Sequence, residues 1–257
     1  MCPPDHFDIE YEINAWMHLD NQVKPPLAKK QWQQLYDTYH HKLGWQVELI
    51  NPQDGLPDMV FSTDNALVLD GKVMLSYFCY PQRRPETGKY QHWFLDKGYK
   101  QVVKPKHKLE GGDILIFGDK IIAGYGYRTE LEAHRELAEY FGREVVSMRI
   151  VDPFFYHLDT ALAVLGHNTV AVYTEALDKA SFELLQAIAP VVIEASKSEA
   201  KSFGLNAVCD SRTIVYSDHS PSLTKKYQSA GFATIGMPMS EFKKSGGGVK
   251  CLTLELS

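Results

Sequence analysis

The amino-acid sequence predicts an α/β fold in which ββαβ units close into a fivefold pseudo-symmetric ring, an α/β propeller. One observation is a repeated order of apolar strand, turn, strand, helix and strand, which returns after about 40 to 55 residues. The other is a unit divided between the two ends of the chain, because joining first and last strands closes a ring and removes exposed sheet edges. The alternative is an ordinary α/β sheet whose units only look alike. No low-complexity linker interrupts residues 1–257, so we expect a single domain.

The divided unit supplies the first and last elements of the chain. Its predicted elements are strands over residues 7–13 and 46–49, a helix over 31–43 and a C-terminal strand over 251–256. In the next unit, Asp70 and Gly71 form a turn between two short apolar strands. The strands of that unit are predicted over residues 66–69, 73–75 and 101–103, and its helix over 90–97.

The clearest unit lies in the middle of the chain. Gly118 and Asp119 form a hairpin signal between two of its strands. Thr129 is a predicted N-cap for its helix, in which apolar residues occur among charged ones. Its strands are predicted over residues 113–117, 121–123 and 145–148, and its helix over 130–141. Two later units repeat this order, with strands over 160–165, 169–173, 191–193, 206–208, 213–216 and 233–235 and helices over 181–188 and 223–229.

Composition argues against several classes of protein. The formal net charge of −5 leaves no basic footprint for nucleic acid. No apolar run approaches the roughly 20 residues that a membrane helix needs, and the N-terminus lacks the features of a signal peptide. The 4 cysteines are far apart and lack CxxC spacing, so neither a clustered zinc site nor a disulfide framework is expected. This usage is typical of a reducing compartment, and we expect a cytoplasmic protein.

Polar clusters lie just before or at the start of strands in successive units. They occupy residues 57–65, 109–113 and 154–160, and Cys251 follows the glycine triplet 246–248. Taken singly, their members could be turn formers, a buried histidine or a small core cysteine. At equivalent points of a ring they would meet at one mouth. Carboxylates there would bind a planar guanidinium through paired hydrogen bonds, and the thiolate would attack its central carbon.

These motifs make the chain similar to the guanidino-group-modifying superfamily, also called the pentein superfamily. It contains arginine deiminases, dimethylarginine dimethylaminohydrolases, arginine dihydrolases and amidinotransferases. The similarity covers essentially the whole chain and preserves the order of its motifs, which are Glu110-Gly-Gly-Asp113, His157-Leu-Asp159 and Cys251 after glycines. The resemblance implies a fivefold α/β propeller of ββαβ units.

The resemblance also implies a role for each motif residue. Cys251 matches the nucleophile, His157 the general acid/base and Glu110 the glutamate that assists the histidine. The residues that match substrate contacts are Asp64, Asp113 and Asp159 at the guanidinium, Arg128 and one of Arg83 and Arg84 at an α-carboxylate, and Asn14 in the opening segment. The resemblance implies neither a metal nor an organic cofactor.

The implied reaction is hydrolysis of arginine or an N-methylated arginine through a covalent amidino-thioether, giving citrulline and an amine or ammonia. Arginine deiminase, arginine dihydrolase and amidinotransferase activities are the alternatives, with a non-catalytic binding module on the same fold as a remote one. Two positions differ from family patterns: the dimethylarginine enzymes carry lysine where this chain has Asp159, and the dihydrolases carry asparagine where it has Asp64. A guanidino substrate is the expected partner, and a homodimer is left open.

Overall fold

The chain folds around four three-stranded sheets, as seen in a computed structural model that describes residues 1–217 and 220–256. In each sheet the first two strands pair in antiparallel fashion and the third strand pairs with the second in parallel. A helix connects the second strand to the third in every sheet, as a parallel crossover requires. The four units predicted as ββαβ therefore have the predicted order.

The strands are β1 (Ala66–Leu69), β2 (Lys72–Leu75), β3 (Gln101–Val103), β4 (Ile114–Phe117), β5 (Lys120–Tyr125), β6 (Glu144–Arg149), β7 (Leu162–Val164), β8 (Thr169–Val172), β9 (Val191–Glu194), β10 (Val208–Cys209), β11 (Thr213–Ser217) and β12 (Ala233–Met237). The helices are α1 (Pro25–Asp37), α2 (Arg84–Asp96), α3 (Leu131–Phe141), α4 (Lys179–Ile188), α5 (Lys197–Lys201), α6 (Pro221–Ser229) and α7 (Ser240–Lys243). A π-helical turn, Thr38–Lys42, continues α1.

Burial decreases from the first strands of each sheet to the third. All four residues of β1 and of β8 are buried. The third strands β3 and β9 contain only exposed and half-buried residues. This gradient is expected when the first strands line the centre of a ring and the third strands face outward.

Helix α3 shows how the sequence specifies one of the crossovers. Ala133 and Leu137 are buried one turn apart, so they form the apolar face that packs on the sheet. The helix ends at Phe141 because Gly142 adopts a left-handed conformation with φ of 68°, which glycine tolerates best. The predicted helix over residues 130–141 begins one residue too early.

The divided unit was only partly predicted correctly. Its helix forms as α1, but the described residues 7–13, 46–49 and 251–256 contain no strand, so these three predicted strands are wrong. Side chains take the place of a strand partner: Gln22 Nε2 donates to the Ile9 carbonyl at 3.1 Å, and Arg128 Nη2 donates to the Ile13 carbonyl at 2.9 Å. After Cys251, the chain forms turns instead of a ladder.

The two ends of the chain nevertheless join the first sheet. The Thr63 amide donates to the Cys251 carbonyl at 3.1 Å, and Thr63 Oγ1 donates to the Thr253 carbonyl at 2.8 Å. The Ile50 amide donates to the Met1 carbonyl at 3.1 Å. These contacts place the loop of Cys251 beside the residues that precede β1.

Candidate active site

Three 3₁₀ turns, each placed just before the first strand of a sheet, carry the aspartates of the candidate site. Asp64 lies in the turn before β1, Asp113 in the turn before β4 and Asp159 in the turn that precedes β7. All three side chains are buried. Because the turns occupy equivalent points of successive units, the ring brings them into contact with one another, and Asp64 and Asp159 lie beside Cys251.

Several polar atoms of this centre have no hydrogen-bond partner among the described residues. They are Asp64 Oδ1, Asp113 Oδ2, Asp159 Oδ1 and His157 Nδ1. The other oxygens of two aspartates are paired: Asp64 Oδ2 accepts from Arg83 Nη1 at 2.6 Å, and Asp113 Oδ1 accepts from the Leu158 amide at 3.0 Å. A buried acceptor without a donor is costly, so the three carboxylate oxygens indicate a site built for a ligand rich in N–H groups.

The thiol of Cys251 lies against this set of acceptors. Its Sγ lies 3.7 Å from Asp159 Oδ2. Ligand atoms of Asp64, Asp159 and Cys251 all lie within 4.8 Å of one another, a grouping that could hold a metal ion. The same two carboxylates beside one thiol also suit a planar cation whose central carbon lies over the sulfur.

His157 is held through Nε2, which leaves Nδ1 free to face the centre. Nε2 lies 2.8 Å from Glu110 Oε2, and Nδ1 lies 3.5 Å from Asp64 Oδ1. The same oxygen of Glu110 accepts from Arg128 Nη1 at 2.9 Å. Burial favours the protonated acid, but Arg128 and His157 outweigh it and hold the pKa of Glu110 far below its usual range. Glu110 is therefore an anion, and its partner Nε2 carries a proton.

The acids around His157 also determine its charge. Burial favours the neutral ring, but Asp64, Glu110 and other carboxylates outweigh it and raise the pKa of His157 to about 9. The residue is therefore an imidazolium near neutral pH. It enters a reaction as an acid, with the proton on Nδ1 available to a bound ligand.

The glycines of the Glu-Gly-Gly-Asp motif allow His157 and the turn of Asp64 to lie close to the backbone of that motif. A Cβ at Gly112 would lie 2.5 Å from His157 Nδ1 and 2.8 Å from Asp64 Oδ1. A Cβ at Gly111 would lie 2.0 Å from the Thr63 carbonyl oxygen. Any side chain at either position would displace the acid/base or the turn that carries Asp64.

Burial opposes the ionisation of Asp113, Asp159 and Cys251. It raises the pKa of Asp113 to about 6 and raises that of Asp159 as well. It also raises the pKa of the Cys251 thiol well above its ordinary value, and the neighbouring Asp159 and Asp64 raise it further. A cation bound among these groups would favour the ionised form of each of them.

The charge of His157 predicts a pH dependence of stability. A group whose pKa is raised in the folded state contributes stability that is complete below its ordinary pKa of 6.5 and is lost as pH rises through about 9. Between pH 6.5 and 9, we expect the free energy of unfolding to fall by on the order of 2 kcal/mol more in the wild type than in His157→Gln. Urea denaturation at several pH values measures the difference. Equal slopes for the two proteins would contradict a charged His157.

The arginines predicted to bind a substrate carboxylate occupy three different environments. The Arg128 guanidinium stacks between the rings of Tyr80 and Tyr156, 4.7 Å and 4.6 Å from their centroids. Arg84 is exposed and donates to the carbonyl oxygens of Phe78 and Cys79. The carboxylate contacts of both arginines stay predictions.

Arg83 instead forms the hub of a buried ion-pair cluster. All three of its nitrogens donate within the protein, to Asp64, to both oxygens of Glu86 and to the Asp58 carbonyl. Its guanidinium also lies 4.5 Å from the centroid of the Phe78 ring. These contacts indicate that Arg83 supports Asp64, and its predicted contact with a substrate carboxylate stays a prediction.

Two other positions complete the comparison with the sequence. Asn14 Nδ2 donates to the Ser245 carbonyl at 3.0 Å, and its Oδ1 accepts from the Trp16 amide at 2.8 Å. It therefore ties the opening segment to the glycine loop, and a substrate contact stays a prediction.

Asn206, which sequence reasoning missed, lies against Cys251. It precedes the first strand of the fourth sheet, so its place in the repeat was the signal that could have found it.

Comparison with known proteins agrees with this geometry. A family model described as "N,N dimethylarginine dimethylhydrolase, eukaryotic" matches residues 3–257. The chain belongs to this family. The N(G),N(G)-dimethylarginine dimethylaminohydrolase of Mycobacterium tuberculosis is 41% identical over 257 residues, which cover 100% of this chain and 84% of that protein. The family member described here is therefore a hydrolase of amidine carbon–nitrogen bonds, and the alternative of a non-catalytic module is set aside.

A second kind of relative is a longer, bifunctional protein, and this chain matches only part of its length. The bifunctional arginine dihydrolase/ornithine cyclodeaminase AgrE of Nostoc is 37% identical, with 100% of this chain but 37% of AgrE covered. The substrate-bound N-terminal domain of the arginine dihydrolase ArgZ superposes with a TM-score of 0.95 at 36% identity, covering 100% of this chain and 97% of that one. A dimethylarginine dimethylaminohydrolase adduct at 23% identity has a TM-score of 0.81, which shows the fold alone.

These similarities confirm the predicted superfamily and the predicted α/β propeller. In the part of the chain that the structure describes, no helix is both long and apolar enough to cross a bilayer.

Proposed function

We propose that the chain hydrolyses the guanidino group of arginine or an N-methylated arginine through a covalent cysteine adduct, releasing citrulline and ammonia or an amine. One observation carries the proposal: buried carboxylate oxygens of Asp64, Asp113 and Asp159 lack donors within the described residues, and those of Asp64 and Asp159 lie beside a buried thiol. A guanidinium offers N–H groups in one plane, carries the opposite charge and has an electrophilic carbon at its centre. It satisfies the acceptors and exposes that carbon to Cys251.

The positive charge of the bound substrate favours ionisation of the Cys251 thiol. The thiol donates toward Asp159 Oδ2 at 3.7 Å, in a site whose burial and acids oppose a thiolate. The bound guanidinium offsets that negative charge and lowers the cost of ionising Cys251. The thiol is therefore protonated in the free enzyme and loses its proton to solvent when the substrate binds.

His157 then acts twice through Nδ1. The thiolate adds to the guanidinium carbon to form a tetrahedral adduct, and the imidazolium gives its proton to the departing nitrogen. Loss of ammonia or an amine leaves an amidino-thioether on Cys251. The neutral imidazole takes a proton from water, which adds to the same carbon. Breakage of the carbon–sulfur bond, with loss of the hydroxyl proton to solvent, then restores the thiolate and leaves a ureido group. Glu110, bound to Nε2 at 2.8 Å, holds the ring in place throughout.

We propose that one round of hydrolysis precedes release. The ureido side chain of citrulline is neutral, so the acids that bound a cation lose most of their attraction for it. Asp64 adds a full charge to this site, whereas the resemblance places a neutral asparagine at this point in arginine dihydrolases. Retention of citrulline for a second hydrolysis is correspondingly disfavoured.

The unpaired acceptors favour a substrate with few methyl groups. Each methyl group on a guanidinium nitrogen replaces one N–H donor. An acceptor left unpaired in a buried site costs about 1–3 kcal/mol, which is roughly 5- to 150-fold in kcat/KM. We therefore expect arginine to be a better substrate than asymmetric dimethylarginine.

The proposal is tested by product analysis with arginine, monomethylarginine and asymmetric dimethylarginine. We expect one citrulline and one ammonia for each arginine consumed, no ornithine, and kcat/KM for arginine about 10-fold or more above that for asymmetric dimethylarginine. The matched variant Asp64→Asn is expected to lose activity toward every substrate, because a guanidinium-binding charge is removed. Ornithine with two ammonia per arginine would contradict single hydrolysis, and a preference for dimethylarginine would contradict the donor count.

Several expectations from the sequence stay predictions. They are a single domain over residues 1–257, the absence of nucleic-acid binding, a cytoplasmic location and the open question of a homodimer. The hydrogen bonds that the Met1 and Cys251 carbonyls accept from the amides of Ile50 and Thr63 support the single domain.

A further inference from the structure

Asn206 is a fully buried polar residue that no step described so far uses. Its Nδ2 donates to Cys251 Sγ at 3.1 Å and to the Asp159 carbonyl oxygen at 3.1 Å. Its Oδ1 accepts from the Cys251 amide at 3.1 Å. One carboxamide therefore contacts the nucleophilic sulfur, the backbone of the nucleophile and the backbone of a guanidinium-binding acid.

These contacts fix the orientation of the carboxamide. The oxygen and nitrogen of an asparagine side chain are otherwise easily interchanged. The Cys251 amide can only donate, and the Asp159 carbonyl oxygen can only accept, so a reversed Asn206 would lose both bonds. The NH₂ group must face the sulfur, where it supports a negative charge.

We infer that Asn206 is a positioning residue that orients the Cys251 sulfur beside Asp159 and stabilises the thiolate by donating a hydrogen bond to it. The inference deepens the proposed function and rests on it, because a thiolate at this point is useful only to a nucleophilic mechanism. The hydrogen bond that the Cys251 amide donates to Asn206 Oδ1 fixes the backbone of the nucleophile, and the hydrogen bond from Nδ2 to Sγ restrains rotation of the thiol.

The charges around the thiol show why such a donor is needed. Asp159 and Asp64 both face Cys251 and oppose its ionisation in addition to burial. Tyr156 also faces the thiol, and burial raises its pKa well above the ordinary value, so it stays neutral. The Gly248 backbone and the Asn206 side chain act in the opposite direction and favour the thiolate.

Lys250 and Gly248 also lie close to the contact between Asn206 and the thiol. Lys250 pairs with Glu255, and its charge also acts on Asp159. A Cβ at Gly248 would lie 2.8 Å from Asn206 Oδ1 and would push the carboxamide away. The glycine is thus required for the contact between Asn206 and the thiol, which provides a second way to disturb that contact without removing either partner.

The test is the pH dependence of Cys251 alkylation by iodoacetamide, measured without substrate and read at Cys251 by peptide mass spectrometry. Asn206→Leu removes the donor at similar volume and adds no charge. We expect its alkylation profile to move to higher pH by about one pH unit and its kcat/KM for arginine to fall about 10- to 100-fold, as for loss of a hydrogen bond to a charged group. Gly248→Ala is expected to shift the profile in the same direction.

The matched control is Gly88→Ala, because a Cβ at Gly88 on α2 meets no atom within 4 Å. Its profile should match that of the wild type. If Asn206→Leu does not fold, as shown by thermal denaturation, Gly248→Ala decides the question alone. An unshifted profile in the folded variants overturns the inference. Failure of arginine turnover in the wild type would instead overturn the proposed function, since the alkylation profile uses no substrate.

Discussion

Replacement of Cys251 by serine is expected to lower citrulline formation from arginine by at least about 10⁴-fold, because the adduct can no longer form. A serine hydroxyl ionises far less readily than a thiol, and Asp64 and Asp159 oppose any anion at this position. Steady-state rates with each arginine substrate measure the loss. Intact mass spectrometry of acid-quenched wild-type protein should show the amidino adduct, which the serine variant should lack.

Cys209→Ser is the matched control for this experiment. Cys209 Sγ donates to the Leu165 carbonyl at 3.2 Å, a contact that a hydroxyl can replace, and the residue takes no part in the proposed reaction. We expect its activity to stay within about 2-fold of the wild type. If Cys251→Ser kept undiminished turnover, Cys251 could not be the nucleophile.

Replacement of Arg83 by methionine is expected to reduce the free energy of unfolding by about 3–5 kcal/mol, which is typical when one partner of a buried ion pair is removed. Arg83 is 3% exposed and binds both Asp64 and Glu86. Without its charge, these carboxylates would remain buried without compensation. Urea denaturation at pH 8 measures the loss.

The loss should depend on pH. Burial raises the pKa of Glu86 to about 7 even though Arg83 opposes the rise, so removal of Arg83 raises it further. Protonation below pH 6 then relieves the uncompensated charge, and the difference between Arg83→Met and the wild type should shrink from pH 8 to pH 5.5. Arg84→Met, a change of the same kind at the next residue, lies at an exposed site and should cost less than about 1 kcal/mol.

This pair of variants also separates two roles for Arg83. A carboxylate contact, which the resemblance implies, predicts a stable Arg83→Met protein with a raised KM for arginine and an unchanged KM for agmatine, which lacks the carboxylate. A buried support for Asp64 predicts an unstable protein that handles both ligands poorly. The first result would support the role implied by the resemblance.

The four complete units could be predicted because their signals are local. Short apolar strands, a turn such as that at Asp70 and Gly71 and a helix with an apolar face repeat in the same order. The alternation of buried and exposed residues that predicts a strand also persists over residues 7–13, although no ladder forms there. A strand needs a partner as well as a pattern, and Gln22 and Arg128 bind the carbonyls that a partner would have used.

Site residues could be predicted from the sequence where a reactive side chain also lay at the equivalent point of a repeat unit. Acids, a histidine and a cysteine at equivalent points of a repeat indicate a guanidinium site. Asn206 occupies the same point in another unit but carries no charge, so its residue type gave no signal. Arg83 and Glu86 have the i, i+3 spacing of helix neighbours, but the contacts of Arg83 with Asp58 and Asp64 join remote turns, and no spacing in the sequence encodes them.

The hydrogen bond from Thr63 to Thr253 joins residues that are 190 positions apart in the sequence. The site is therefore completed only after nearly the whole chain has been synthesised. A ribosome produces the four complete units before it adds Cys251. Domains often begin to fold while synthesis continues, but contacts between remote segments form slowly. The aspartates and His157 can therefore assemble in a nascent chain that has no nucleophile. The buried thiol enters the centre only when the ring closes, so an incomplete chain cannot carry out the reaction.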